Sequence, residues 1–144
     1  MTTYLPDVNV WLALAVEGHV HHEPSRRWLE EEAAGSTLLF CRVTEMGLLR
    51  LLTSRSILGR DALSPAAAWK VRDAFFQDDR IRFEAEPPEA ESWWRRATTA
   101  EKSAGPSFWT DAWLASFAAA TGATLVTFDA ALAGRRGIHS RRLR

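Results

Sequence analysis

The chain has 144 residues, 47% of them hydrophobic and seven of them Trp, which suits one packed domain over residues 1–144 and excludes a disordered chain. Lys+Arg and Asp+Glu both number 18, so a surface coated in positive charge is excluded, though a local basic groove is not. Cys41 is the only cysteine, which rules out an internal disulfide or a zinc knuckle of thiolates.

Tyr4-Leu5-Pro6 predicts a short strand. Asp7 then stands where a helix N-cap belongs, before the apolar run Val8 to Val16. Glu17 to His21 reads as a loop, and His22 to Ala33 as a helix with Trp28 and Leu29 inward. Thr37 to Cys41 is apolar throughout, as buried parallel strands are. Val43 to Thr53 predicts a helix with Leu48, Leu49, Leu51 and Leu52 on its inner face. Ser54 to Ser64 is a polar connection, and Ser64-Pro65 opens a helix running to about Gln77. Ile81 to Phe83 predicts a third strand, and Glu89 to Thr99 a helix after Pro87-Pro88. Ser107 to Thr121 is a long helix closed by Gly122, followed by a strand over Thr124 to Phe128. Asp129 caps a short helix ending at Gly134, and Ile138-His139 is a small edge strand. Strands alternate with helices, so the fold class is α/β with a central, mainly parallel sheet of four to five short strands flanked by helices. No segment is long and apolar enough to span a bilayer, and the N-terminus lacks the basic region of a signal peptide. The expectation is a cytoplasmic protein with no membrane partner.

Four carboxylates sit beside apolar runs, where packing does not favour them: Asp7, Glu45, Asp111 and Asp129. Asp7 and Asp129 end strands. Glu45 shares the inward stripe of Leu48, Leu49 and Leu52, and Asp111 that of Leu114, Ala115 and Ala118. In open α/β sheets functional groups gather at the carboxyl ends of the strands, so all four are expected at one sheet edge as a metal site. Two plain helix caps are the competing reading for Asp7 and Asp129.

These residues carry a resemblance. LPDVNVWLALAVEGHVHH, CRVTEMGLLRLLT and FWTDAWLASFAAATGATLVTFD resemble, in order, the acidic motifs of the PIN-domain nucleases, and within them the VapC-like toxins of type II toxin–antitoxin pairs. The resemblance implies a PIN-like three-layer fold and a metal-dependent endoribonuclease. It implies Asp7 and Asp111 as principal metal ligands, with Glu45 and Asp129 completing the catalytic pocket. Asn9, Thr110 and Thr127 would orient those ligands. Oxygen ligands of this kind suit Mg²⁺, with Mn²⁺ as a substitute, and one metal or two is left open. The implied partners are RNA, a cognate antitoxin protein and a second copy in a homodimer.

Arg50, Arg135 and Arg136 are candidate RNA contacts, the last two within an Arg-rich C-terminus whose competing reading is a solvated tail. Arg95 and Arg96 beside Trp93 and Trp94 read either as an RNA grip or as a helix packing its Trp inward. His19, His21 and His22 lie too loosely for a transition-metal site. Rival functions are a PIN-type nuclease in RNA processing without an antitoxin, an α/β phosphatase with Asp7 as nucleophile, and a degenerate binding module. Asn9 stands where a haloacid-dehalogenase phosphatase needs its second Asp.

Overall fold

The computed structural model describes all 144 residues. Its five strands are β1 (Thr3–Pro6), β2 (Thr37–Phe40), β3 (Ile81–Phe83), β4 (Thr124–Thr127) and β5 (His139–Arg142). They form one sheet in the order β3-β2-β1-β4-β5, with every neighbouring pair parallel. The helices are α1 (Val8–Ala15), α2 (His22–Arg27), which continues as a π-helical turn over Trp28–Glu32, α3 (Arg42–Leu52), α4 (Arg55–Leu58), α5 (Pro65–Phe75), α6 (Ala90–Thr99), α7 (Phe108–Thr121) and α8 (Ala130–Ala133). None of them is long and apolar enough to cross a membrane.

The pleat divides the strand residues between two cores. Tyr4, Leu38, Phe40 and Val126 face one way and bury Trp11 of α1 and Leu48 and Leu52 of α3, with Ala68 of α5. Trp11 stacks on Phe40 with ring centroids 3.9 Å apart. Leu5, Leu39 and Leu125 face the other way and bury Trp113, Phe117 and Ala118 of α7. The result is the expected three layers. Capping signals act where the sequence places them: the Ser64 hydroxyl accepts from the Ala67 amide ahead of Pro65, and Gly122 closes α7 at φ 71°.

Two local expectations need correction. The polar connection from Ser54 to Ser64 contains α4 and a 3₁₀ turn over Gly59–Asp61. The C-terminus is an ordered edge strand, not a tail: β5 pairs with β4 along its whole length, and Arg141 binds Glu32 through contacts of 2.8 to 3.1 Å. Its charged, exposed side chains keep that sheet edge from pairing with another chain.

Candidate active site

The chain winds outward from β1 in opposite directions, through β2 and β3 on one side and β4 and β5 on the other. Helices therefore diverge beyond the carboxyl ends of β1 and β4 and leave a crevice there. Asp7 follows β1 directly, and its amide donates to the Val126 carbonyl at 2.9 Å, which ties its position to β4. Asp7 is also the N-cap of α1: its Oδ1 accepts from the Val10 amide at 3.1 Å. Asp129 caps α8 through Ala131 and Leu132 at 2.8 and 3.1 Å. Thr127 ties the Asp7 carboxylate to the Asp129 backbone. Its hydroxyl donates to Asp7 Oδ2 and accepts from the Asp129 amide at 3.0 Å. Capping and ligation do not compete at Asp7, because a carboxylate offers about four lone-pair sites and its hydrogen bonds leave at least one of them free.

The crevice opens into a cleft of about 530 Å³ whose walls are α1, α3 and α7. Asp7, Asn9, Arg50, Thr110 and Asp111 all line it. Asp111 lies in the first turn of α7, where a carboxylate also favours the helix dipole. The Thr110 hydroxyl donates to the Ser107 carbonyl at 3.1 Å, so it secures the start of α7. Gly47 lets α3 approach α1: a methyl there would lie 2.6 Å from Val8 Cγ2, beside Asp7.

Electrostatics marks the two cleft carboxylates. Burial raises the Asp7 pKa, against hydrogen bonds from Thr127, Val10 and Asn9, and the Asp111 charge raises it further. Burial also raises the Asp111 pKa, a Ser107 hydrogen bond opposes it, Asp129 adds to it and Arg135 lowers it. Mutual repulsion, expected from the sequence, is present but smaller than desolvation. Asp7 is only 6% exposed, and no Lys, Arg or His pairs with it. A buried carboxylate without a counter-charge beside a second one is an arrangement that a bound cation relieves.

Glu45 goes elsewhere. Its stripe on α3 does face inward, but into the core beside α5. Val43, Met46, Gly47 and Arg50 form the helix face along the cleft. Both Glu45 oxygens are held by guanidinium groups, one by Arg42 Nη1 and the other by Arg72 Nε at 2.9 Å. The structure thus brings Asp7, Asp111 and, through Thr127, Asp129 towards one another and leaves Glu45 outside. No three His, Cys, Asp or Glu side chains converge into a closed ligand set anywhere in the chain. That includes the His cluster, where His21 stacks on Phe128 at 4.1 Å and His22 Nδ1 lies 2.8 Å from the Ala13 carbonyl. Arg72 was not legible as the partner of Glu45, because 27 residues separate them and no local signal links them.

The donor set fits Mg²⁺, which is usually held by one or two carboxylates, keeps several waters and takes further ligands from substrate phosphates. Asp7 and Asp111 would hold it, with Thr127 fixing the Asp7 carboxylate. Thr127→Val is therefore expected to weaken divalent-metal affinity by about 10–100-fold without unfolding the protein, as calorimetric titration would show.

The sequence matches the PIN domain over residues 4–136. It is 46% identical over 143 residues to Ribonuclease VapC41 of Mycobacterium tuberculosis, covering 96% of this chain and 97% of that one. Identity to Ribonuclease VapC39 of the same species is 34%, with 91% of each chain covered. The fold matches VapBC2 from Rickettsia felis, solved bound to a DNA fragment from their promoter, with a TM-score of 0.75 at 16% identity, covering 99% of this chain and 100% of that one. It also matches Mycobacterium tuberculosis VapC20, a Sarcin-Ricin loop cleaving toxin, with a TM-score of 0.69 at 17% identity, covering 94% of this chain and 98% of that one.

Proposed function

The chain belongs to the PIN-domain family, and we propose that it is a VapC-type endoribonuclease: a divalent-metal-dependent hydrolase of RNA phosphodiesters and the toxin of a toxin–antitoxin pair. The observation that carries this reading is the cleft at the sheet's switch point, where a buried Asp7 and a half-buried Asp111 share one space with no basic side chain paired to Asp7. The curated relatives, named as ribonucleases, supply the substrate class.

Mg²⁺ or Mn²⁺ bound there would act as a Lewis acid on the phosphate and lower the pKa of the attacking water. The protein's own groups then have separable roles. Asp7 and Asp111 are the proposed principal ligands. Asp129 supports them through Thr127 and through its charge on Asp111. Asn9, the one polar side chain of α1, lines the cleft beside Asp7, which supports it as an orienting group. Arg50 lines the same cleft and Arg135 acts electrostatically on Asp111, which supports both as contacts for RNA phosphates. Arg136 is exposed and follows Arg135 directly, so it is a further candidate for the same contact. For Glu45 the support is its place in the TE motif; joining the metal would require it to leave Arg42 or Arg72.

The test is cleavage of structured RNA by the purified protein with Mg²⁺, with Mn²⁺ and with chelator. Cutting is expected with either metal and should stop with chelator; cutting that persists in chelator contradicts the metal reading.

We place the protein in the cytoplasm, with RNA and an antitoxin protein as partners, and infer a homodimer. Trp69 and Ile57 are 48% and 53% exposed, and Trp69 flanks a groove with Leu49 of α3 and Thr53, which follows that helix. Apolar surface of this kind is what a second copy covers. Trp69→Glu is expected to shift the protein from dimer to monomer in sedimentation velocity, whereas an unchanged sedimentation coefficient would move the interface elsewhere.

A further inference from the structure

A second cavity of about 490 Å³ adjoins the cleft, and Val43 and Thr110 line both. Its walls are indoles. Trp94 is wedged edge-on between Trp109 and Trp113, with ring centroids 5.9 and 5.4 Å apart, and its N–H donates to the Trp109 carbonyl at 3.1 Å. That bond and the two T-shaped contacts fix the wall. Trp109 is nevertheless 55% exposed, so core packing does not explain its size. It lies two residues before Asp111 in the first turn of the same helix, with Thr110 between them. Two further lining residues carry opposite charge, Arg42 and Glu86. Arg42 pairs with Glu45, not with Glu86, and its guanidinium lies 4.6 Å from the centre of the Phe83 ring.

Resting on the ribonuclease reading, we propose that this cavity is a subsite for one unpaired nucleobase of the RNA, guanine above the others. Every base has a π-face that an indole can stack on. Continuity with the cleft lets the base sit here while the adjoining phosphate lies between Asp7 and Asp111. Glu86, as a carboxylate, only accepts hydrogen bonds, and guanine alone presents two adjacent donors, N1–H and the N2 amine, to such a group. The free N–H groups of Arg42 match the guanine O6 and N7 acceptors.

The experiment is anisotropy titration of labelled oligouridine strands, without divalent metal, that differ at one position: guanosine, adenosine or an abasic site. The guanosine strand should bind on the order of 10-fold more tightly than the abasic one. Trp109→Ala should erase that difference, Trp109→Phe should keep most of it, and Glu86→Gln should bring guanosine and adenosine strands together. Circular dichroism of each variant should match the wild type. Equal binding of the guanosine and abasic strands overturns the subsite, as does a preference that survives Trp109→Ala. Equal guanosine and adenosine binding by the wild type overturns the base assignment. An apolar helical peptide that binds Trp109 while RNA does not makes this a protein-docking face and overturns the proposal. Base-dependent binding without any cleavage would count against the nuclease reading alone; cleavage without base dependence would count against the subsite alone.

Discussion

Asp7→Asn and Asp111→Asn should each lower RNA cleavage about 10³-fold, the equivalent of several kcal/mol of lost charge stabilisation at the phosphate. The geometry makes the substitutions informative. The side-chain amide introduced by Asp7→Asn keeps an oxygen for Val10 or Thr127, so the cap of α1 and the tie to β4 survive while the charge disappears. Stability should move the other way from activity. Burial raises both pKa values, so each folded carboxyl holds its proton more tightly than in the unfolded chain. That linkage stabilises the metal-free protein below the unfolded pKa and is lost as pH rises through the raised values. The advantage of Asn over Asp in metal-free melting temperature should therefore grow with pH across that window. Metal affinity in the wild type should fall as pH drops through it, because the ligands must be deprotonated. Melting curves at several pH values, with and without Mg²⁺, measure both. A melting temperature that falls for Asp7→Asn at every pH would mean the carboxylate serves folding and not a cation.

Arg72→Ala is expected to cost about 2–3 kcal/mol of unfolding free energy in urea denaturation, less than a fully orphaned buried charge costs because Arg42 still pairs with Glu45. Glu45 is 1% exposed and depends on two guanidinium groups, of which Arg42 is mostly solvent-exposed and Arg72 is not. Arg72 also lies 4.0 Å over the Phe76 ring, so the substitution removes packing as well as charge. Glu45→Gln in the same chain removes the buried charge that Arg42 alone would then have to balance. The double variant should be more stable than Arg72→Ala alone, and the departure from additivity measures the coupling. Strict additivity would show that Arg72 acts through Phe76 and not through Glu45.

Much of this was readable in the sequence because the signals were local. Apolar runs set the strands, Ser64-Pro65 and Gly122 set helix ends, and a carboxylate after a strand predicted both a cap and a place at the sheet's edge. The placing of Asp7 and Asp111 at the sheet's edge follows from those signals, whereas a role for Thr127 was implied only by the family resemblance and its bonds to Asp7 and Asp129 came from the structure. Glu45 shows the limit. Its spacing from Leu48 and Leu52 correctly gave an inward face, but an α/β helix has one face for the core and another for the crevice. Only the position of α5, carrying Arg72, decides which side a carboxylate near the start of α3 turns to. The aromatic cavity was hidden for the same reason, since Phe83, Trp94 and Trp109 come from three separate elements. The ordered C-terminus depended on non-local partners, the pairing of β5 with β4 and the contact of Arg141 with Glu32, 109 residues apart.

Mn²⁺ binding followed by calorimetry and electron paramagnetic resonance tests the central claim most directly. The wild type should bind Mn²⁺ competitively with Mg²⁺, and Asp7→Asn and Asp111→Asn should each abolish that binding while keeping the wild-type circular dichroism. Unchanged Mn²⁺ affinity in both variants would contradict the assignment of the metal to this cleft.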